Sequence, residues 1–177
     1  MSFDIIESEI PEVKIIIPKV FNDNRGYFLE SYKESEFDKL NVKFKQDNHS
    51  FSKKSVIRGL HFQKEPYSQG KLVSVISGKI FDVAVDLRKN SKYYKKFISI
   101  ELSDENHKML YIPEGFAHGF QALKDSHVYY KTTNEYNKDS ESGIMYNDKN
   151  VNIKWPLDHC IISDKDLKYK NINDVIL

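Results

Sequence analysis

Along this chain, apolar and polar residues alternate in short runs more often than they recur at helical spacing. The clearest run is Lys71–Arg88. Val73 and Val75 lead into the turn Ser77-Gly78-Lys79, and then Phe81, Val83, Val85 and Leu87 alternate with Ile80, Asp82, Ala84 and Asp86. A period of two puts the first set on one face of a strand and the second on the other. One face is wholly apolar. The other is small and acidic, which suits the lining of a cavity. Strands are also predicted over Lys14–Pro18, from Gly26 through YFLESY, and over Phe97–Leu102, Met109–Ile112, Ala117–Leu123 and Val128–Thr133, with Ile153–Trp155 closing the β-rich part. Phe21–Arg25 reads as a turn, and Ser103–Lys108, the KDSH stretch at 124–127 and Asn137–Ser142 as polar connections. Helical signals are few. Ser31 and Glu34 stand at capping-box spacing ahead of Phe37 and Leu40, and Ser163 is placed to cap a helical turn over Ser163–Tyr169. Many short strands with regular turns predict an all-β fold, an antiparallel sandwich or barrel.

The 177 residues predict one domain, 1–177, with 40% hydrophobic and 30% charged residues, as in a water-soluble protein. A net charge of +1 gives no footprint for nucleic acid or an acidic membrane surface. No apolar run approaches the roughly 20 residues of a membrane span. Cys160 is the only cysteine, so no internal disulfide can form, which fits a cytoplasmic setting.

The candidate chemistry concentrates in Ser55–Val73, SVIRGLHFQKEPYSQGKLV, where Arg58, His61, Gln63 and Lys71 are interleaved with apolar residues. Such groups can hold an anion, remove a proton near neutral pH and stabilise a developing oxyanion. A histidine base needs a carboxylate to fix its tautomer, and Asp166, Asp82 and Asp86 are candidates. Tyr130 and Tyr136, in VYYKTTNEY, are candidate acids. Strict alternation puts Arg58 and His61 on opposite faces of a strand, so if both meet one ligand, a kink near Gly59 or the end of the strand must re-aim one of them. His107, His127 and His159 sit in polar, loop-like surroundings that predict solvated roles.

Tyr111–Phe120, YIPEGFAHGF, resembles the second half-motif of the cupin jelly roll. In the place of the first half-motif, GLHFQ offers His61 alone, followed by Phe62 and Gln63. Two histidines without a third protein ligand make a poor metal site, so no metal is expected. Six strings in unbroken order then carry a wider resemblance: DNRGYFLESY, FKQDNHSFSKKSVIRGLHFQ, QGKLVSVISGKIFDVAVDLRKNS, YIPEGFAHGF, YYKTTNEY and WP…SDKD. Together they resemble the cupin-fold nucleotide-sugar epimerases typified by dTDP-4-dehydrorhamnose 3,5-epimerase.

That resemblance implies a jelly-roll barrel with a few short helices. It implies a cofactor-free isomerase of dTDP-rhamnose biosynthesis that inverts C3 and C5 of a 4-keto-6-deoxy nucleotide sugar through a C4 enolate. By it, His61 is the base, Asp166 its orienting partner, Tyr130 the acid on the opposite face of the ring and Lys71 the holder of the C4 oxygen. Arg58 and His118 grip the nucleotide sugar, and Arg25, Glu30, Gln46, Asn48, Tyr136, Glu141 and Lys165 complete the pocket. Tyr27 or Phe28 stacks on the base. A homodimer with a shared active site is implied, with Arg25–Glu30 near the second subunit's pocket. Competing readings are an epimerase of one centre only, an enzyme of a GDP-linked 4-keto-heptose, a metal-dependent cupin and a non-catalytic sugar-binding module.

Overall fold

The computed structural model describes residues 2–175. Thirteen strands follow one another along the described chain. They are β1 (Phe3–Glu7), β2 (Lys14–Pro18), β3 (Val20–Asp23), β4 (Gly26–Leu29), β5 (Gln46–Ser52), β6 (Ile57–Gln63), β7 (Lys71–Ser77), β8 (Lys79–Asp86), β9 (Phe97–Ser103), β10 (Met109–Ile112), β11 (Phe116–Ala122), β12 (Ser126–Thr132) and β13 (Glu141–Gly143). Two sheets result, ordered β1-β2-β10-β7-β12-β5 and β13-β6-β11-β8-β9, with β3 and β4 as a separate two-stranded ribbon. All of these pairings are antiparallel. This is the antiparallel sandwich the sequence pattern predicts, with the jelly-roll architecture the resemblance implies.

Alternation explains which side chains meet between the sheets. Val73, Val75, Leu110, Ile112 and Val128 from the first sheet pack against Ile80, Ala84, Ile98, Leu102, Phe116 and Phe120 from the second. The wholly apolar face of β8 turns the other way. Val83, Val85 and Leu87 form a second cluster with Ile144, Val151, Ile153 and Ile172, so the C-terminal segment covers the outside of that sheet. The small, acidic face of β8 therefore looks inward, and Asp82 and Asp86 are fully buried. A third cluster on the outside of the first sheet seats the short helix α1 (Glu34–Phe37), with Phe37 against Phe3, Ile16, Leu72 and Met109.

Several local expectations are corrected. Val20–Asp23 is a strand, and the turn is confined to Asn24 and Arg25. The helix starts after Lys33, with no side-chain cap, so Ser31 does not serve it. Ile153–Trp155 forms no strand: Ile153 is a core residue, and the Trp155 indole donates to the Tyr146 carbonyl at 2.9 Å. His127 lies within β12 rather than in a loop, and its Nδ1 stands 3.0 Å from His49 Nε2. The helical turn is the shorter 3₁₀ segment Asp166–Lys168, with Lys165 rather than Ser163 at its N-cap, although Ser163 Oγ accepts from the Asp166 N–H at 3.1 Å.

Candidate active site

The site is built on an irregularity in β6. Opposite β11, His61 pairs with His118 but Arg58 pairs with Phe120, so three steps on one strand match two on the other. The extra residue is a bulge at Gly59, with φ +105°. A Cβ there would lie 2.5 Å from the His118 carbonyl oxygen, so only glycine fits without a shift. The bulge brings Arg58 and His61 to the same face, resolving the conflict that strict alternation poses.

It also frees a backbone donor. Asp166 Oδ2 accepts from the Gly59 N–H at 3.2 Å, while its Oδ1 lies 2.7 Å from His61 Nε2. With Nε2–H donating to this carboxylate, Nδ1 of the neutral imidazole keeps its lone pair free as a base. Burial alone would raise the Asp166 carboxyl. The His61 bond and charge, the Gly59 N–H and Lys165 outweigh it and hold the carboxyl below its usual range. Of the three candidate partners for His61, the structure selects Asp166. Asp86 instead binds Arg88 and Ser91, and Asp82 serves His118.

A cavity of about 270 Å³ opens beside His61. Gln46, Asn48, Lys71 and Tyr130 line it from the first sheet, and His61, Phe62, Gln63 and Glu141 from the second. Register explains the grouping. Asn48, Tyr130 and Val73 stand side by side across β5, β12 and β7, and Gln46, Thr132 and Lys71 form the next row on the same face. An adjoining cavity of about 420 Å³ shares His61 and is lined by Arg58, Lys165 and Asp166 among others.

Three buried groups, Lys71, His118 and Asp82, sit together beside His61, and of them only Lys71 lines the cavity. Burial drives the Lys71 ammonium down to about 8, against the attraction of Asp82 and Glu141. His118 is pushed down as well, by burial first, against the charge and hydrogen bond of Asp82, whose Oδ1 lies 2.7 Å from His118 Nε2. His118 is therefore neutral near pH 7, and Lys71 is the one cation of the trio. Asp82 Oδ2 is buried with no hydrogen-bond partner among the described residues.

The wall carries the Tyr130 phenol. Burial raises the Tyr130 phenol, so it holds its proton at neutral pH. At the mouth, Glu141 accepts from the Tyr136 hydroxyl at 2.8 Å and pairs with Lys165 at 2.6 Å. The Tyr136 N–H donates to Gln46 Oε1 at 2.8 Å, and Gln46 in turn donates to Asn48. Arg58 donates to Ser52 Oγ and to the Phe51 carbonyl, which holds its guanidinium beside β5.

Most of the predicted residues therefore meet around His61. Arg25 and Glu30 do not. Arg25 is exposed at the tip of the β3–β4 ribbon, paired with Asp23 at 2.6 Å, and Glu30 faces Lys33 at 3.8 Å. Neither is among the residues lining the two cavities. Tyr27 packs on His107, and Phe28 is 65% exposed. Two residues near the site had no predicted role in it, Gln69 in the lining and Tyr169 against His61, and Asp82, a candidate partner for His61, lies beneath His118 instead. Asp82 was legible as an inward position of β8, but which histidine it serves was not.

A cupin metal centre does not fit these residues. Gln63 stands where a further ligand is needed, and both His61 Nε2 and His118 Nε2 are committed to carboxylates. Among the described residues no group of three or more His, Cys, Asp or Glu side chains is gathered to hold an ion.

Comparison with known proteins agrees with this geometry. Residues 7–174 match the family model described as dTDP-4-dehydrorhamnose 3,5-epimerase. The chain is 50% identical over 175 residues to the enzyme of that name from Shigella flexneri, covering 97% of each chain. It is 49% identical to that from Methanothermobacter thermautotrophicus, covering 97% of this chain and 96% of the relative. Its fold matches the crystal structure of dTDP-6-deoxy-D-glucose-3,5-epimerase from Legionella pneumophila, solved with dTDP-4-keto-L-rhamnose. That TM-score is 0.95 at 42% identity, over 98% of this chain and 95% of the other. By these matches the chain is an isomerase and belongs to the dTDP-4-dehydrorhamnose 3,5-epimerase family.

Proposed function

We propose that the protein inverts C3 and C5 of dTDP-4-keto-6-deoxy-D-glucose, with His61 as base, Tyr130 as acid and Lys71 as the cation on the C4 oxygen. The observation that carries this is their convergence: base, phenol and ammonium line one cavity of about 270 Å³ from two facing sheets.

A hydrogen on carbon beside a ketone is acidic enough to remove only if the enolate oxygen is stabilised. His61 Nδ1 takes the proton. The C–H electron pair becomes the C=C bond of the enolate, and the negative charge moves to O4, facing the Lys71 ammonium. The Tyr130 hydroxyl then delivers a proton to the same carbon from the opposite face, which inverts it. His61 is left charged and Tyr130 ionised; exchange with water resets both, and the same groups act on the second carbon. Asp166 steadies the imidazolium in the interval. No electrons leave the substrate, so the chemistry needs no redox cofactor.

Gln46, Asn48, Tyr136 and Glu141 stand where they can contact the sugar or base, and Arg58 and Lys165 supply positive charge for the diphosphate. In this reading the enzyme is a homodimer. The β3–β4 ribbon, which exposes Phe21, Tyr27 and Phe28, carries Arg25 and Glu30 towards the other copy's pocket. A nucleotide-activated substrate and a single cysteine fit a cytoplasmic setting.

The test is proton NMR of enzyme with dTDP-4-keto-6-deoxy-D-glucose in heavy water. Deuterium is expected at both C3 and C5, and its absence from both would refute the proposal. His61→Ala is expected to abolish exchange while the fold is kept.

A further inference from the structure

His61 is fixed by one hydrogen bond, to Asp166. A single bond defines an axis about which an imidazole can still tilt, and cavities open beside this one on both sides. Something else must hold the ring. In β13, the residue paired with His61 is Gly143, so the cross-strand position where a side chain would brace the imidazole is bare. The Tyr169 ring occupies it. A Cβ on Gly143 would lie 2.6 Å from Tyr169 Cε2, and the Tyr169 ring stands edge-on to His61 with centroids 5.6 Å apart at 65°.

Tyr169 reaches this place by the same turn that delivers Asp166. The two are three residues apart across the 3₁₀ segment Asp166–Lys168, and such a spacing eclipses side chains on one side of the turn. The segment is anchored beyond the turn as well. Lys170 bridges Ile144, its carbonyl accepts from the Met145 N–H at 2.9 Å, and the Asp148 carboxylate accepts from the Ile172 N–H. The Tyr169 hydroxyl is buried near the Lys165 ammonium but makes no well-formed hydrogen bond among the described residues, and it is the ring that meets His61.

We infer that Tyr169 is a positioning residue for the reaction, a ring that replaces the missing side chain of Gly143 and holds the His61 imidazole in the plane set by Asp166. The inference rests on His61 being the base. It predicts that Tyr169→Phe keeps wild-type kcat. Tyr169→Ala is expected to lower kcat roughly 10- to 100-fold with KM little changed, the scale of a base displaced by about an ångström.

The discriminating readout is imidazole ¹⁵N NMR of His61. Wild type and Tyr169→Phe should show a single Nε2–H tautomer, and Tyr169→Ala a mixture of the two tautomers. Circular dichroism confirms that each variant is folded. Wild-type kcat and one tautomer in folded Tyr169→Ala would overturn the inference, as would loss of kcat in Tyr169→Phe equal to that in Tyr169→Ala. If Tyr169→Ala does not fold, Tyr169→Leu takes its place with the same expected outcomes. Activity surviving in His61→Ala would instead overturn the assignment of the base, so the two failures are distinguishable.

Discussion

Lys71 is where catalysis and stability pull in opposite directions. Its ammonium is buried, and its pKa falls from 10.5 to about 8. A depression of that size corresponds to about 3 kcal/mol against holding the charged form in the folded protein, at about 1.4 kcal/mol for each pH unit. The sign follows from proton counting. Between about 8 and 10.5 the unfolded chain keeps a proton that the folded chain has released, so wild-type stability rises with pH across that window, and below it the full cost is present. Lys71→Met keeps the length of the side chain and removes the charge. The attraction of Asp82 is already included in the net shift, so the substitution is expected to stabilise the protein at pH 7 by roughly 1–3 kcal/mol. The gain should vanish by pH 10.5. In urea it amounts to a midpoint increase on the order of 1 M at equal protein concentration. Turnover should be lost, because nothing then neutralises O4. Wild-type kcat/KM should likewise fall above pH 8 as Lys71 loses its proton. A Lys71→Met protein that is less stable at pH 7, or whose gain is the same at pH 7 and 10.5, would refute this account.

Other perturbations separate the remaining roles. Asp166→Asn can present an amide N–H to His61 and favour the wrong tautomer, so kcat should drop on the order of 10³-fold or more while the fold persists; near-normal turnover would show that the dyad does not act as described. Tyr130→Phe removes the proton donor, and proton NMR in heavy water should show inversion slowed severely while exchange continues at one carbon; inversion of both carbons at the wild-type rate would assign the acid elsewhere. Gly59→Ala forces a side chain onto φ +105° and to within 2.5 Å of the His118 carbonyl, and should cost more than about 3 kcal/mol in denaturant unfolding; a smaller loss would mean the bulge yields easily.

The parts of the fold legible in the sequence are those that local pattern controls. The β8 alternation gave both faces correctly, including the inward turn of Asp82, because a strand buried on one side must sort its residues by period two. The Phe21–Arg25 stretch misled because its Asn and Asp residues are turn formers, yet its β-strand is held by the register with β4, a pairing that composition does not display. Ile153–Trp155 has the apolar content of a strand, but it is buried as irregular chain under β8, where side-chain packing rather than a ladder fixes it. At the site, the resemblance named most of the residues that the structure gathers around His61, and of the two devices that periodicity left open, a kink near Gly59 or the end of the strand, the structure has the bulge at Gly59. Tyr169 was not legible. Its importance comes from Gly143, distant in sequence, which leaves a gap only once β13 is laid beside β6.

The two inward histidines show how one residue type is given two tasks. His61 and His118 face each other in register across β6 and β11, and each binds a carboxylate through Nε2 at 2.7 Å. Their hydrogen bonds do not distinguish them; their surroundings do. The His118 side chain is 9% exposed, above an aspartate that is fully buried, and beside the Lys71 charge it resists protonation. It can donate or accept a hydrogen bond but is poorly placed to gain a proton and pass it to water. The His61 side chain is 30% exposed and lines both cavities. In the proposed mechanism the base must be reset between two proton abstractions, which needs that access to solvent, and His118 lacks it. The bulge at Gly59 makes the difference, because it turns His61 and Arg58 together to the open side while its freed N–H fixes Asp166 beside them.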